Sequence, residues 1–330
     1  MQILSKSKAG RYIIYAVGEI LLVIIGIMIA VWLNNINEAR IQDKKIQATL
    51  DEIQEELLVT VADANDIIEF YNAKDSLIYL VMSNQLTEAD YKDPKNWGLA
   101  LISLNYSSLS IQDDGFKNLM SKTENMSKRY SPLVKRLKRL HVHLKTSLES
   151  NNEKMNKAVE ASFQTLQNNQ DWFSEDAFFQ KWNSDNMVNY FLNDPNHKNS
   201  LYTYSNLGIG NLTNTIYNIR IESIKAIYEI DSLLNRKNNY PFDLKIEDFI
   251  SWTGTYTLEK NSFSITSEGH QLFYKKGSNT MEIYPLGNGK FHIKGPGFYQ
   301  VLKQKDGSVS GIKSSGSNIN DLYKKAASTN

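Results

Sequence analysis

The chain has 330 residues, no cysteine, and 37 Lys or Arg against 36 Asp or Glu, for a net charge of +1. Near-neutrality argues against nucleic acid as a main partner, and the lack of thiols excludes a disulfide framework and thiolate metal sites. The length is enough for two domains.

The first element is Ile13 to Leu33, IIYAVGEILLVIIGIMIAVWL, apolar throughout except for Glu19. A bilayer core of ~30 Å is crossed by about 20 apolar residues in a helix. The run exceeds the ~7–15 apolar residues of a cleavable leader, and Ala30-Val31-Trp32-Leu33 offers no small-residue cleavage site. A buried helix of a soluble protein is seldom apolar all round at this length. An uncleaved transmembrane helix over 13–33 is therefore expected, with Tyr12, Tyr15 and Trp32 in the aromatic belts. Lys6, Lys8 and Arg11 precede it; Arg40, Lys44 and Lys45 follow it, diluted by Glu38 and Asp43. The Lys and Arg count is a tie, broken towards a cytoplasmic N-terminus by the unopposed charges of the leading segment. Residues 1–12 would then face the cytoplasm, and the bulk of the chain would be periplasmic or otherwise extracytoplasmic.

Glu19 lies about 9 Å inside the apolar run. A charge at mid-bilayer costs at least ~2.5–3.5 kcal/mol, so a carboxyl there points to a role. It shares one stripe with Val23, Gly26 and Ala30, at i, i+4, i+7, i+11. Gly26 and Ala30 are a small-xxx-small pair of the kind that admits another backbone. Two readings stand: a glutamate reaching back to the interface in a monomeric anchor, or a polar contact with a membrane-protein partner or a second copy.

Gly10-Arg11-Tyr12, Tyr15-Ala16-Val17-Gly18-Glu19-Ile20, Ile25-Gly26-Ile27 and Asn34-Asn35-x-Asn37-Glu38 together make a long pattern. It resembles the N-terminal signature of a bacterial family of single-pass membrane proteins that has no assigned activity. The resemblance implies membrane topology and a largely helical middle, where Tyr106 to Leu119 is similar to a further family element.

After Asn34 the helix is expected to continue to about Met82. Ile46, Leu50, Ile53, Leu57, Val61, Ala64, Ile68 and Tyr71 recur at helical spacing close to a heptad. A stripe of this kind packs in an antiparallel bundle or in a dimeric coiled coil, and the long helices that follow favour the bundle. Leu86 to Trp97 reads as a loop, with short helical pieces near 98–102 and 113–121. Ser131-Pro132 reads as an N-cap and first turn, followed by a stripe from Leu133 to Leu166. Lys135, Arg136, Lys138 and Arg139 lie on the other face and read as a solvated surface, with an anionic partner as the alternative. Aromatic-rich 171–195 reads as two short helices that cap one end of the bundle, or as a binding surface. A last long helix is expected from about Asn199 to Arg236, with Gly208 and Gly210 kinking it or allowing close packing.

Residues 237–248 read as a linker. Beyond it, WTGTYTL, SFSITS, HQLFYKK, TMEIYP, GKFHIK, FYQVLK, SVSGIKS and DLYKK alternate with turn residues. Regular short strands of this kind predict an antiparallel barrel or half-barrel over 249–325, with a tail at 326–330. Trp252-x-Gly254-x-Tyr256 and Asp306-Gly307-x-Val309-x-Gly311-Ile312 resemble the lipocalin-like β domain appended to some bacterial serine hydrolases, without their catalytic domain. The overall expectation is α+β: a transmembrane helix running into an elongated bundle, then a small β domain.

The residues suggest no chemistry. His141-x-His143 places two imidazoles on different helical faces, and His197, His270 and His292 have no neighbouring ligand pattern. No H-E-x-x-H, phosphate-cradling loop or G-x-S-x-G elbow occurs; Gly287–Lys290 and Gly295–Gly297 read as hairpin turns. No cofactor and no catalysis are expected. The favoured reading is a membrane-anchored interaction protein; the alternative is a ligand-binding or sensory protein using the aromatic cap or the barrel around Phe273, Phe291, Phe298 and Tyr299.

Overall fold

The computed structural model describes residues 8–122, 126–240, 249–268, 271–287, 289–293, 297–315 and 321–326. One helix, α1 (Lys8–Met82), runs 75 residues, about 110 Å at 1.5 Å per residue. Its continuity follows from composition: no proline precedes Pro94, so no hydrogen bond is removed, and after Gly26 no glycine loosens the backbone before Gly98. It stops where Asn84 takes a left-handed conformation, φ 54°, an αL helix end.

The two halves of α1 meet different surroundings. From Tyr12 to Leu33 the large apolar side chains are exposed, Leu22 by 71% and Tyr15 by 77%. This is the one helix among the described residues that is long and apolar enough to cross a membrane. From Ile46 onward every member of the stripe to Tyr71 is buried. The cover comes from α3 (Asp114–Met120) and α9 (Thr213–Leu233) of the same chain, so the stripe packs as a bundle.

The remaining helices refine the sequence reading. Residues 86–97 hold α2 (Glu88–Lys92), capped by Thr87, and the start of a 3₁₀ segment (Pro94–Leu101), capped by Asp93. Thr87 forms a capping box with Asp90, and Asp93 Oδ1 accepts from Lys95 N at 2.9 Å. Ser131 is not an N-cap: a 3₁₀ turn at Lys128–Tyr130 leads directly into α4 (Ser131–Lys138). A π-helical segment, Arg139–Leu144, joins α4 to α5 (Lys145–Asn169). Short α6 (Phe173–Phe178) and α7 (Asp185–Asn193) follow. The last long helix begins before Asn199, as α8 (Pro195–Tyr204), because Asp194 Oδ1 caps Asn196 N at 2.8 Å and proline suits the first position. It passes through π-helical Ser205–Leu212 into α9. There Gly208 packs so closely that a Cβ would sit 3.0 Å from Tyr71 Cε1.

The strands are β1 (Gly254–Leu258), β2 (Asn261–Glu268), β3 (Gln271–Lys276), β4 (Asn279–Gly287), β5 (Lys290–Ile293), β6 (Gly297–Lys303), β7 (Val309–Ser315) and β8 (Leu322–Lys325). They form a closed antiparallel barrel, with β1 pairing β8 at Tyr256↔Lys325. Closure leaves no open edge. The β4–β5 turn uses Gly289 at φ 73°; of the expected turn at 295–297, residues 295 and 296 lie outside the described residues. Of the expected linker over 237–248, residues 241–248 lie outside the described residues, and Tyr240 is tied to the bundle. Tyr240 OH donates to Asp231 Oδ2 (2.8 Å), while Gln54 Nε2 of α1 donates to Asp231 Oδ1 (2.8 Å) and to Tyr240 OH (3.0 Å).

The barrel rests on α9. His292 of β5 stacks on Tyr217 with ring centroids 4.8 Å apart and planes at 10°. Lys225 Nζ lies 2.9 Å from Glu282 Oε2 and 5.3 Å from the centre of the Tyr284 ring.

Candidate functional site

The sequence stripe Glu19, Val23, Gly26 and Ala30 lies on the exposed half of α1. At 100° per residue these four fall within about 60° of one another. The same arithmetic puts Ile46, Leu50, Ile53 and Leu57 on the opposite side of the helix, where the bundle is attached. Higher residues on the Glu19 side, Ala48, Glu55, Val59 and Ala62, are exposed as well. The stripe therefore faces away from the chain's own core. A Cβ at Gly26 would meet nothing within 4 Å, so the position is open to another backbone. Around Glu19 a shallow notch is lined by Ala16, Ile20, Val23 and Ile24. What this arrangement can do is present one carboxyl on an otherwise apolar, small-residue surface.

The two alternative ligand regions differ from each other. The barrel interior is filled by its own side chains: Tyr256, Phe263, Phe291 and Tyr299 are buried, and Phe291 stacks on Tyr299 at 5.3 Å. Phe273 is not part of that interior, because strand alternation sends its neighbours Leu272 and Tyr274 inward. Phe298, the second residue of β6, lies opposite His292 in the register; its side chain lies outside the described residues. In the cap, Phe173, Tyr190 and Phe191 are buried, and Tyr91 of α2 stacks on Phe191 at 6.2 Å. Phe178 and Phe179 escape it, at 80% and 61% exposed, with centroids 5.1 Å apart. Lys92 of α2 pairs with Asp185 of α7 at 2.8 Å at the surface of the cap.

The histidines of the bundle sit apart. His141 is buried against Phe116, ring centroids 4.6 Å apart, while His143 is exposed. Burial pushes both His141 and His197 down to about 4. The basic cluster is not wholly solvated: Arg136 reaches Glu222 (2.8 Å) and Glu229 (2.9 Å) on α9, and Arg139 reaches Glu222 at 3.4 Å. Lys135 and Lys138 remain exposed.

Sequence reasoning missed Lys74. It continues the buried stripe between Tyr71 and Ile78 and is 8% exposed. Its Nζ donates to Ile102 O (2.7 Å), Asn105 O (2.9 Å) and Asn105 Oδ1, and lies over the rings of Phe70 (4.6 Å) and Tyr204 (4.8 Å). Burial pushes its amine down to about 7, while the carbonyls and ring faces favour its charged form. With Tyr204 OH donating to Asn105 O (2.9 Å) and Tyr71 OH donating to Ser107 O (2.8 Å), it pins the 102–107 crossing to α1. A charge at stripe spacing was the available signal. Compared with known proteins, the chain matches no family model, and no curated protein matches its sequence.

Proposed function

We propose that this chain is a non-enzymatic, membrane-anchored scaffold. The apolar half of α1 crosses the cytoplasmic membrane, as the single-pass signature implies, with the N-terminus inside, as the unopposed charges of Lys6, Lys8 and Arg11 favour. The bundle and barrel stand outside as interaction surfaces, and the Glu19 stripe receives a membrane partner's helix. The observation that carries this reading is the change of surroundings along α1, from apolar and exposed on all sides to buried along one face. In water, this 21-residue run with a single charge would leave an apolar surface exposed on every side, far beyond the patches a water-soluble chain ordinarily shows. The carboxyl at Glu19 and the open backbone at Gly26 support a partner, since intramembrane polar groups and small residues mark helix–helix contacts.

Affinity capture of the wild type and of Glu19→Leu after mild detergent extraction tests the partner contact. Loss of a membrane-protein partner from the variant is expected; identical partner sets contradict it. A second reading, ligand binding at the cap, is supported by the exposed Phe178–Phe179 pair.

A further inference from the structure

The foot of the bundle carries a ring of cations drawn from two places in the sequence. Arg40, Lys44 and Lys45 lie on α1 between Leu33 and the first buried residue, Ile46. The 3₁₀ turn Lys128–Tyr130 is brought beside them by Asp43. Asp43 accepts from Arg129 Nη2 at 2.7 Å, from Tyr130 OH at 2.6 Å and from Gln47 Nε2 at 3.0 Å. Its carboxyl is held below its ordinary range, first by the Tyr130 bond and then by the Arg129 guanidinium. Glu38, the other carboxylate at this level among the described residues, accepts from Asn34 at 2.8 Å. Arg40, Lys44, Lys45 and Lys128 are left exposed, with no ion-pair partner among the described residues.

We propose that this foot docks on anionic phospholipid headgroups and so fixes the bundle against the bilayer surface. The inference rests on the membrane-anchored reading above, because the anchor dictates what the foot faces. Measured along the axis from Leu33, Arg40 stands about 10 Å up and Lys45 about 18 Å up. The headgroup layer is ~5–8 Å thick. Arg40 is therefore well within one Debye length, ~8–10 Å, of the headgroup surface, and Lys44 and Lys45, about 9–13 Å above it on the backbone, lie at the edge of that range, which their long side chains shorten. The tether removes the translational cost of approach, so even a few such charges tip the balance. Each cation held near an anionic surface raises the docked-to-undocked ratio by about fivefold in physiological salt. The Asp43 lock matters because it adds Lys128 to one side of α1, giving the foot a breadth that three helix residues alone lack.

The chain has no cysteine, so Ser127→Cys, at an exposed position beside Lys128, places one donor dye at the foot. The full chain is reconstituted into nanodiscs carrying an acceptor on the headgroups, in phosphatidylglycerol-rich or pure phosphatidylcholine lipid. Stronger energy transfer is expected in the anionic discs, falling to the phosphatidylcholine level at about 1 M salt, where the Debye length is ~3 Å. The combined variant Arg40→Gln, Lys44→Gln, Lys45→Gln, Lys128→Gln is expected to lose the lipid dependence. The charge-preserving set Arg40→Lys, Lys44→Arg, Lys45→Arg, Lys128→Arg is expected to keep it. Equal transfer in both lipids, or lipid dependence that survives the Gln set, overturns the proposal. A chain that does not co-elute with the discs overturns the membrane reading itself, which separates the two failures.

Discussion

The lower and upper halves of α1 are the same unbroken helix, yet one is exposed on every side and the other is buried along a stripe. Helix formation is therefore not what distinguishes them. Neither half contains proline, and the lower half stays helical although it is rich in Ile and Val and carries Gly18 and Gly26; what differs is the spacing of apolar residues. An all-round apolar surface needs an apolar solvent, and a one-sided stripe needs a partner element. In the upper half that element is α9, which presents Ile216, Ile219, Ile227 and Ile230, all fully buried.

Substitutions of equal chemistry in the two halves break the comparison most sharply. Leu50→Ala in the upper half, at 0% exposure, is expected to cost about 2–5 kcal/mol of bundle stability. Leu22→Ala, 71% exposed, is expected to change it by less than about 0.5 kcal/mol. Denaturant unfolding of the full chain in detergent, followed by far-ultraviolet circular dichroism, measures both. Similar losses at the two sites would mean that the lower half also packs within the chain.

Acidification sharpens the same contrast, because His141 and His197 are buried in the bundle and the lower half of α1 has no histidine. His141 and His197 are held at about 4 by burial, against ~6.5 when unfolded. Between those values the unfolded chain binds protons that the folded chain does not, so stability rises with pH across the window. It is lost as pH falls from about 6.5 towards 4, by up to about 3 kcal/mol per histidine. A flat unfolding midpoint across that window would contradict the burial; His141→Gln and His197→Gln are expected to flatten it site by site.

Glycines give a smaller effect. A Cβ at Gly115 would sit 2.8 Å from Ile53 Cγ1, whereas one at Gly26 would touch nothing. Gly115→Ala is expected to destabilise the bundle by about 1–3 kcal/mol. Gly26→Ala is expected to leave the unfolding midpoint unchanged and to weaken partner capture. The smallest effect is at the barrel contact. Lys225→Met removes the half-exposed pair with Glu282 and is expected to cost no more than about 1 kcal/mol, read as a small drop in the coupling of barrel and bundle melting.

Much of the architecture was legible because periodicity is local. Each of the eight alternating runs after Trp252 became a strand, and each stripe position from Ile46 to Tyr71 became core. What sequence could not show was which charges find partners across helices. Arg136 read as solvated because its partners Glu222 and Glu229 are some 90 residues away. Lys74 passed unnoticed because its carbonyl acceptors belong to an irregular crossing without periodicity. Helix starts shifted where caps act: Asp194 begins α8 earlier than its apolar stripe does, and the turn at Lys128–Tyr130 displaces Ser131 from its capping role. The candidate stripe at Glu19 was visible as a lone carboxyl in apolar sequence; that it faces away from the bundle emerged only once the upper stripe was seen to be covered.

The most direct test uses single cysteines in the otherwise cysteine-free chain and a membrane-impermeant maleimide on intact spheroplasts. Val23→Cys is predicted to stay unlabelled before and after permeabilisation without detergent, while Ser147→Cys and Ser310→Cys label at once and Ser7→Cys labels only after permeabilisation. Ready labelling of Val23→Cys, or protection of Ser147→Cys and Ser310→Cys in intact spheroplasts, would contradict a helix sunk in lipid with the folded part outside.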